Sequence, residues 1–380
     1  MKTRAAVLRE YEGPIEVTQL ELRPPQLGEV LVEIAASGVC HSDLHVVNAD
    51  LPLPVPMVLG HEGAGVVRAV GPGVQRPKVG DQVVLSWIPA CGICRFCREG
   101  APHLCVEAAD ATREGRLLTG ETPFSDQAGK VYPFSMTGTL SEFTVVPAVG
   151  AIPLPDGIPL YMAALFGCAV MTGVGAALRT APVRPGDRVA VFGAGGVGLN
   201  IVQGARIAGA SSIIVIDRLP ARLQLARTLG ATATVNVHDE EPIQAVLDRT
   251  GGFGADLSFE AIGSPETIAQ AFNAARRGGT AVIVGVAPPH EEVSLNAFAF
   301  PSQEKTLKGC WYGSANGPRD ILLLADLFLS SQLLLAPFVT RTYSLDDVAT
   351  AFDDLAMGRV GRPLVIMPLG QKEESPDGTL

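Results

Sequence analysis

Val189-Ala-Val-Phe-Gly193-Ala-Gly195-Gly196-Val197-Gly198 runs from a β-branched stretch straight into glycines, and Ile213-Ile-Val-Ile-Asp217 follows it. Gly193, Gly195 and Gly198 have the G-x-G-x-x-G spacing, placed after a strand pattern and at the start of a helix-period segment (Val197, Leu199, Ile201, Val202, Ala205). Without side chains the turn tightens, the backbone can approach a pyrophosphate, and the helix start turns its N–H groups toward the phosphates. Such a glycine triplet alone is a weak signal, and a plain glycine-rich turn is the alternative. Here the strand before it, the helix after it and the acid closing the next strand select a dinucleotide cradle of which Gly196 and Val197 are also part.

Around this hub the pattern repeats strand and helix. Strands are expected at Arg188 to Phe192, Ser212 to Asp217, Ala255 to Glu260, Thr280 to Val284 and Thr306 to Cys310. Helices are expected at 196–208, 221–229, 242–250 and 265–275. Alternation with short loops predicts an α/β fold with a doubly wound parallel sheet. Residues 1–90 instead show short β-rich runs (Val30 to Ile34, Gly65 to Val70, Gln82 to Leu85) punctuated by Gly and Pro, which reads as a mostly β domain. Residues 106–138 read as a long irregular connection. Helices at 319–330 and 346–357 precede a last strand at 363–367 that is expected to rejoin the first domain, and 371–380 read as a frayed polar tail.

The chain has 380 residues, 47% of them hydrophobic, enough for two domains, and its net charge is −10. Lys and Arg are not clustered, so neither nucleic acid nor an anionic membrane is an expected partner. No apolar run is long enough to span a bilayer, and charges in Met1 to Glu10 occupy the place of a signal peptide's apolar region; the expected location is the cytoplasm.

Seven cysteines form no even disulfide framework, and six fall where metals bind. Cys91-x2-Cys94-x2-Cys97-x7-Cys105 suits a closed tetrahedral zinc site that staples a loop. An iron–sulfur cluster is the alternative, although the fourth spacing differs from the ferredoxin run and no Pro follows Cys105. Gly38-Val-Cys40-His41-Ser42-Asp43-Leu-His45 and Leu59-Gly-His61-Glu62-Gly add a thiol, imidazoles and carboxylates at turn-like positions. Taken alone, Cys40 reads as a small buried hydrophobe and His61 as a satisfied loop histidine. Cys168 is the candidate third ligand, far away in sequence, so this set must be assembled by folding. Cys310, in an expected strand, reads as core packing.

Cys40, Gly60-His61-Glu62, the four-cysteine lobe, Cys168 and the glycine fingerprint, in this order, resemble the zinc-dependent medium-chain alcohol dehydrogenases over residues 1 to about 368. The resemblance implies a GroES-like catalytic domain (1–169, with the 91–105 lobe), a Rossmann NAD-binding domain (170–312) and a return to the catalytic domain (313–380). It implies two Zn²⁺ per subunit. Catalytic zinc is expected on Cys40, His61 and Cys168, with its fourth position open, and structural zinc on Cys91, Cys94, Cys97 and Cys105. Zinc lowers the pKa of a bound hydroxyl, and NAD accepts the hydride.

By the same resemblance, Ser42 takes the substrate's proton, the cofactor ribose passes it to His45 near the surface, Asp43 orients His61, and Glu62 lies behind the metal. Asp217 is expected to bind the adenosine ribose hydroxyls and repel a 2′-phosphate, favouring NAD despite Arg218 beside it. His41, Arg222, Val286 and Arg362 complete the expected cofactor contacts. His41 replaces the arginine common in animal liver enzymes, which implies looser pyrophosphate binding. Leu51, Trp87 and Phe134 are expected to line an apolar substrate channel, and small Ser42 leaves room for bulky groups.

The reaction expected first is reversible oxidation of primary aliphatic or aromatic alcohols. A thiol-dependent formaldehyde dehydrogenase acting on an S-hydroxymethyl adduct is the alternative. Ala109 and Leu51 differ from the arginine and acid that resemble a glutathione site, while Arg113 and Arg116 suit another anionic thiol adduct, such as one of mycothiol. A non-catalytic NAD-binding relative is a further alternative, opposed by the presence of all three ligands. The resemblance also implies a homodimer or homotetramer through Lys308 to Gly313.

Overall fold

A computed structural model describes residues 1–359 and 361–374. The chain divides into one unit of Met1–Cys168 with the segment from Asn316 onward, and a second of Ala169–Ala315.

The second unit is built on six parallel strands. Across the sheet they are Ala233–Asn236, Ser212–Asp217, Arg188–Phe192, Ala255–Glu260, Ala275–Ile283 and Thr306–Gly309. In chain order this is 3-2-1-4-5-6, so the direction of winding switches between Arg188–Phe192 and Ala255–Glu260. The central strands Arg188–Phe192 and Ser212–Asp217 are near-continuous apolar runs because helices cover both faces. One covered face packs Ala190, Phe192, Ile214 and Ile216 against Val246 and Ala271 of the helices Pro242–Arg249 and Pro265–Ala274.

In the first unit, five strands close a barrel: Lys2–Leu8, Ile15–Leu22, Phe124–Asp126, Gly129–Pro133 and Met57–Val58. A second sheet centres on Glu29–Gly38, which pairs antiparallel with Glu62–Val70, Phe143–Pro147 and Leu364–Ile366. The late strand Leu364–Ile366 therefore lies beside a strand from the start of the chain. The two core clusters take alternate residues of the first strand, Ala6 and Leu8 on one side and Ala5 and Val7 on the other.

The stretch 106–138, expected to be irregular, contains the helix Val106–Glu114 and the hairpin Phe124–Asp126/Gly129–Pro133. That helix buries only Ala108 and Ala111, so it carries no apolar stripe for periodicity to reveal. The strand Ala233–Asn236 was also not foreseen. The last helix, Pro368–Glu374, enters the stretch read as a tail, and 375–380 lie outside the described residues. No single helix among the described residues is long and apolar enough to cross a membrane.

Candidate active site and cofactor cradle

Cys40 caps the short helix His41–Val47, His61 follows Gly60 at the entry to Glu62–Val70, and Cys168 follows a 3-10 turn. Folding brings their ligand atoms within 4.8 Å of one another, all three residues buried. His61 Nε2 lies 3.2 Å from Cys168 Sγ. Gly60 has φ +91°, and a Cβ there would stand 2.5 Å from Leu140 N, so only glycine lets the histidine in at this angle. Two thiols and an imidazole converging this closely fit zinc held by three protein ligands with a fourth position open.

Asp43 ties the segments together. Its carboxylate accepts the backbone N–H of Cys40 at 3.2 Å and of Gly60 at 2.8 Å, and its Oδ2 lies 3.3 Å from His61 Nδ1 at an angle outside hydrogen-bond geometry. Behind them, buried Glu62 forms an ion pair with Arg362, which is itself 4% exposed. Arg362, expected to reach toward a pyrophosphate, is thus placed against the carboxylate behind the metal ligands.

The charges are strongly coupled. Cys40 is pulled well below the ordinary thiol range, first by its hydrogen bond with Cys168, and also by Arg362 and His61 against the effect of burial. The same bond, with burial and the charges of Cys40 and Glu62, holds Cys168 well above it. Burial disfavours charge on His61, yet Asp43 and Cys40 push its pKa up to about 10. Burial likewise opposes the Arg362 charge, and Glu62, Cys40 and Cys168 raise its pKa nonetheless. Protons and a divalent cation compete for these donors, so zinc binding must expel protons.

Cys91, Cys94, Cys97 and Cys105 also lie within 4.8 Å of one another. Here backbone N–H groups serve the sulfurs: Cys91 N donates to Cys105 Sγ at 3.3 Å and Cys94 N to Cys91 Sγ at 3.4 Å. Four thiols close a tetrahedron and leave no position for substrate.

In the second unit, Gly193 has φ +96° and the helix Gly196–Ile207 begins after Gly195 with no side-chain cap. A Cβ on Gly198 would collide with the Gly193 carbonyl, whereas one on Gly195 would meet nothing within 4 Å. The first glycines shape the turn, and the open side at Gly195 with uncapped N–H groups beyond fits a dinucleotide's phosphates. Asp217 accepts Ala194 N at 2.7 Å and Leu219 N at 2.9 Å, which fixes the acid at the strand end. Arg222 is half-buried and Val286 is exposed.

Trp87 and Phe134 both meet the His61 ring edge-on, with centroids 6.2 and 5.0 Å away. Leu51 packs against the neighbouring core, so an apolar wall with two aromatics adjoins the metal ligands. Ser42 Oγ lies 3.8 Å from Cys40 Sγ; His41 is exposed. Arg113 and Arg116 pair with Asp110 and Glu114. Cys310 is buried and accepts the Thr180 hydroxyl at 3.2 Å. The sequence reading missed Asp50, whose Oδ2 lies 3.1 Å from His45 Nδ1; its signal was an acid five residues beyond a helical histidine. It also missed Glu260, an acid ending a strand next to the cradle.

Residues 26–156 match the family described as alcohol dehydrogenase GroES-like domain, and residues 196–329 that described as zinc-binding dehydrogenase. Among curated proteins, the chain is 41% identical over 368 residues to an S-(hydroxymethyl)glutathione dehydrogenase of Synechocystis sp., covering 96% of this chain and 100% of the relative. An Escherichia coli O1:K1 protein of the same description is 40% identical over the same coverage. Among solved structures, an alcohol dehydrogenase zinc-binding domain protein from Burkholderia ambifaria has a TM-score of 0.92 at 34% identity, covering 97% of this chain and 99% of that one. The benzyl alcohol dehydrogenase of Acinetobacter calcoaceticus has a TM-score of 0.90 at 30% identity, with the same coverage.

Proposed function

The chain belongs to the zinc-dependent medium-chain alcohol dehydrogenases, and from that premise we propose that it oxidises the hydroxymethyl group of an S-hydroxymethyl thiol adduct. It is an NAD-dependent oxidoreductase whose cofactors are zinc and NAD. The observation that carries the substrate reading is the 41% identity, over the relative's full length, to an S-(hydroxymethyl)glutathione dehydrogenase. This places the alternative of the sequence reading ahead of its first expectation. Ala109 and Leu51 argue for a thiol other than glutathione. Arg113 is engaged in a surface ion pair with Asp110, which an incoming anion can break at a cost of about 1 kcal/mol or less, while Arg116 pairs with Glu114 and also donates to the Leu117 carbonyl at 3.4 Å.

Plain primary alcohols are the second reading, favoured by the aromatic wall of Trp87 and Phe134 and by the likeness to a benzyl alcohol dehydrogenase.

In either case Cys40, His61 and Cys168 hold the catalytic zinc and the lobe cysteines the structural one. Bound zinc supplies the Lewis acidity that acidifies a substrate hydroxyl, and bound NAD accepts hydride. Asp43 holds the Cys40 and Gly60 backbones in register. Glu62 and Arg362 balance charge behind the ligands, and Trp87 and Phe134 exclude water beside them. Ser42 is the group that would accept the substrate's proton as its own moves on, and His45, with Asp50 at its Nδ1, the group that would release a proton to solvent. We assign the protein to the cytoplasm, and its oligomer to pairing along the edge strand Thr306–Gly309.

The test is NADH formation at 340 nm from formaldehyde with and without glutathione, mycothiol or cysteine, and from benzyl alcohol and octanol alone. Turnover of formaldehyde that requires one thiol supports the proposal. Fast thiol-free turnover of benzyl alcohol, with no thiol effect on formaldehyde, moves the assignment to the second reading.

A further inference from the structure

Glu260 ends the strand Ala255–Glu260, directly beside Phe192, the last residue before Gly193. The side chain is buried, and its Oε1 accepts three hydrogen bonds: from Ile262 N at 2.8 Å, from Gly263 N at 2.7 Å and from the Thr267 hydroxyl at 2.8 Å. Its own carbonyl accepts Val284 N at 2.8 Å and Gly285 N at 3.0 Å from the next strand's end. One residue thus fixes the turn 261–263 from below and links it to the following strand.

That turn forms a wall of the cradle. Ala261 N donates to the Phe192 carbonyl at 2.9 Å, and a Cβ on Gly193 would lie 2.6 Å from Ile262 Cγ1. On the other side Gly263, at φ +89°, leaves no room for a Cβ, which would sit 2.5 Å from the Val286 carbonyl. The ends of three adjacent strands are packed backbone to backbone at the switch point, where open α/β sheets bind their ligands. A turn with two of its N–H groups unpaired would rearrange toward water, and the fit against Gly193 would go with it.

We propose that Glu260 is the positioning residue of the NAD cradle, its buried carboxylate holding the turn 261–263 in the shape the cofactor binds. It makes the wall before the cofactor arrives, so ordering it is no longer charged to binding. Burial is the largest influence on this carboxyl and pushes its pKa up; the N–H groups of the turn and the Thr267 hydroxyl pull the other way. An amide at this position keeps an acceptor oxygen for the same donors, whereas a methyl group does not.

The inference rests on NAD as the hydride acceptor. Titration of the zinc-loaded protein with NADH, followed by its fluorescence, reads affinity directly, and thermal unfolding is recorded alongside. Glu260→Ala is expected to weaken NADH binding about tenfold, with KM for NAD rising in step and kcat within about twofold. Glu260→Gln is expected to stay within about threefold of the unsubstituted protein, and Thr267→Val, which removes one donor and keeps the shape, to weaken binding about twofold to fivefold. Unchanged NADH affinity in folded Glu260→Ala overturns the inference, even if the unfolding temperature falls. Should Glu260→Ala not fold, unchanged affinity in Thr267→Val overturns it equally. An unsubstituted protein that binds no NADH would overturn the cofactor reading itself, a result distinct from loss of affinity in the variants alone.

Discussion

Cys91, Cys94, Cys97 and Cys105 come from one stretch of chain and remain partly exposed except for Cys105, whereas Cys40, His61 and Cys168 are buried and drawn from three segments, His61 and Cys168 lying 107 residues apart. The local set is served by backbone N–H groups of its own loop. The dispersed set is surrounded by ionisable side chains: Asp43 beside His61, and Glu62 paired with Arg362. A loop that closes its own tetrahedron gains folding energy from the metal. A site that keeps a position open must have its three ligands located by the rest of the fold, and its charge balanced from behind.

The largest effect expected from breaking this contrast is on turnover. Cys168→Ala should leave one zinc per chain by metal analysis, an unfolding temperature close to the original, and NADH formation reduced roughly a thousandfold or more. Cys97→Ala should also leave one zinc, but with a clear fall in unfolding temperature and, in the protein that remains folded, turnover within a few-fold. Equal losses of turnover in the two variants would erase the distinction.

The charge pair behind the open site comes next. Arg362→Leu removes the ion-pair partner of the buried Glu62 carboxylate, and breaking such a pair costs about 3 to 5 kcal/mol. Urea unfolding should show that loss, and Glu62→Gln combined with Arg362→Leu should recover much of it. If the double variant is as unstable as the single one, the pair is not balancing charge.

The same contrast governs what could be read from the chain. Four cysteines in fifteen positions announce a metal site by spacing alone, because the loop itself is the scaffold. Cys40, His61 and Cys168 individually look like core or loop residues, and only their order along the chain, taken with the glycine fingerprint, marks them. The parallel sheet was legible because its central strands Arg188–Phe192 and Ser212–Asp217, covered on both faces, are near-continuous apolar runs. The helix Val106–Glu114 was not, since two alanines are all it buries. Nor were Asp50 and Glu260, whose roles depend on which hydrogen bonds folding gives them and leave no periodic trace. Arg362 was visible as a charge, but its pairing with Glu62 is a property of the folded strand Leu364–Ile366 lying beside Glu29–Gly38.

Proton competition sharpens the comparison further. His61, with its pKa pushed up to about 10, holds a proton throughout pH 7 to 9, and zinc must displace it. Raising pH removes the competitor, so zinc affinity of the buried set should rise about tenfold per pH unit for each proton displaced, and because Cys168 is held well above the ordinary thiol range the rise should continue after His61 has lost its proton. In the loop set Cys94 is pulled down to about 6 and is ready as thiolate at neutral pH, while burial pushes Cys97 up to about 12, so this set too should gain affinity as pH rises. Chelator competition on Cys97→Ala reports the buried set and on Cys168→Ala the loop set. Affinity of the buried set that is flat above pH 7 would contradict the raised pKa of His61.

The smallest of these effects concerns Asp43, which touches no substrate. Its carboxylate accepts the N–H groups of Cys40 and Gly60 and faces the His61 nitrogen that does not point at Cys168, so it sets both backbone register and imidazole tautomer. Asp43→Asn keeps an acceptor oxygen for one backbone donor but removes the charge that favours a proton on Nδ1. Losses for such partners of a metal-bound histidine are about 10- to 100-fold in zinc affinity or activity. At the loop cysteines backbone N–H groups support the sulfurs, so structural zinc should be retained in full. Metal analysis after graded chelation separates the outcomes: loss of the catalytic zinc first, with turnover falling in parallel, is expected. Simultaneous loss of both would mean that Asp43 supports the fold rather than the orientation of His61.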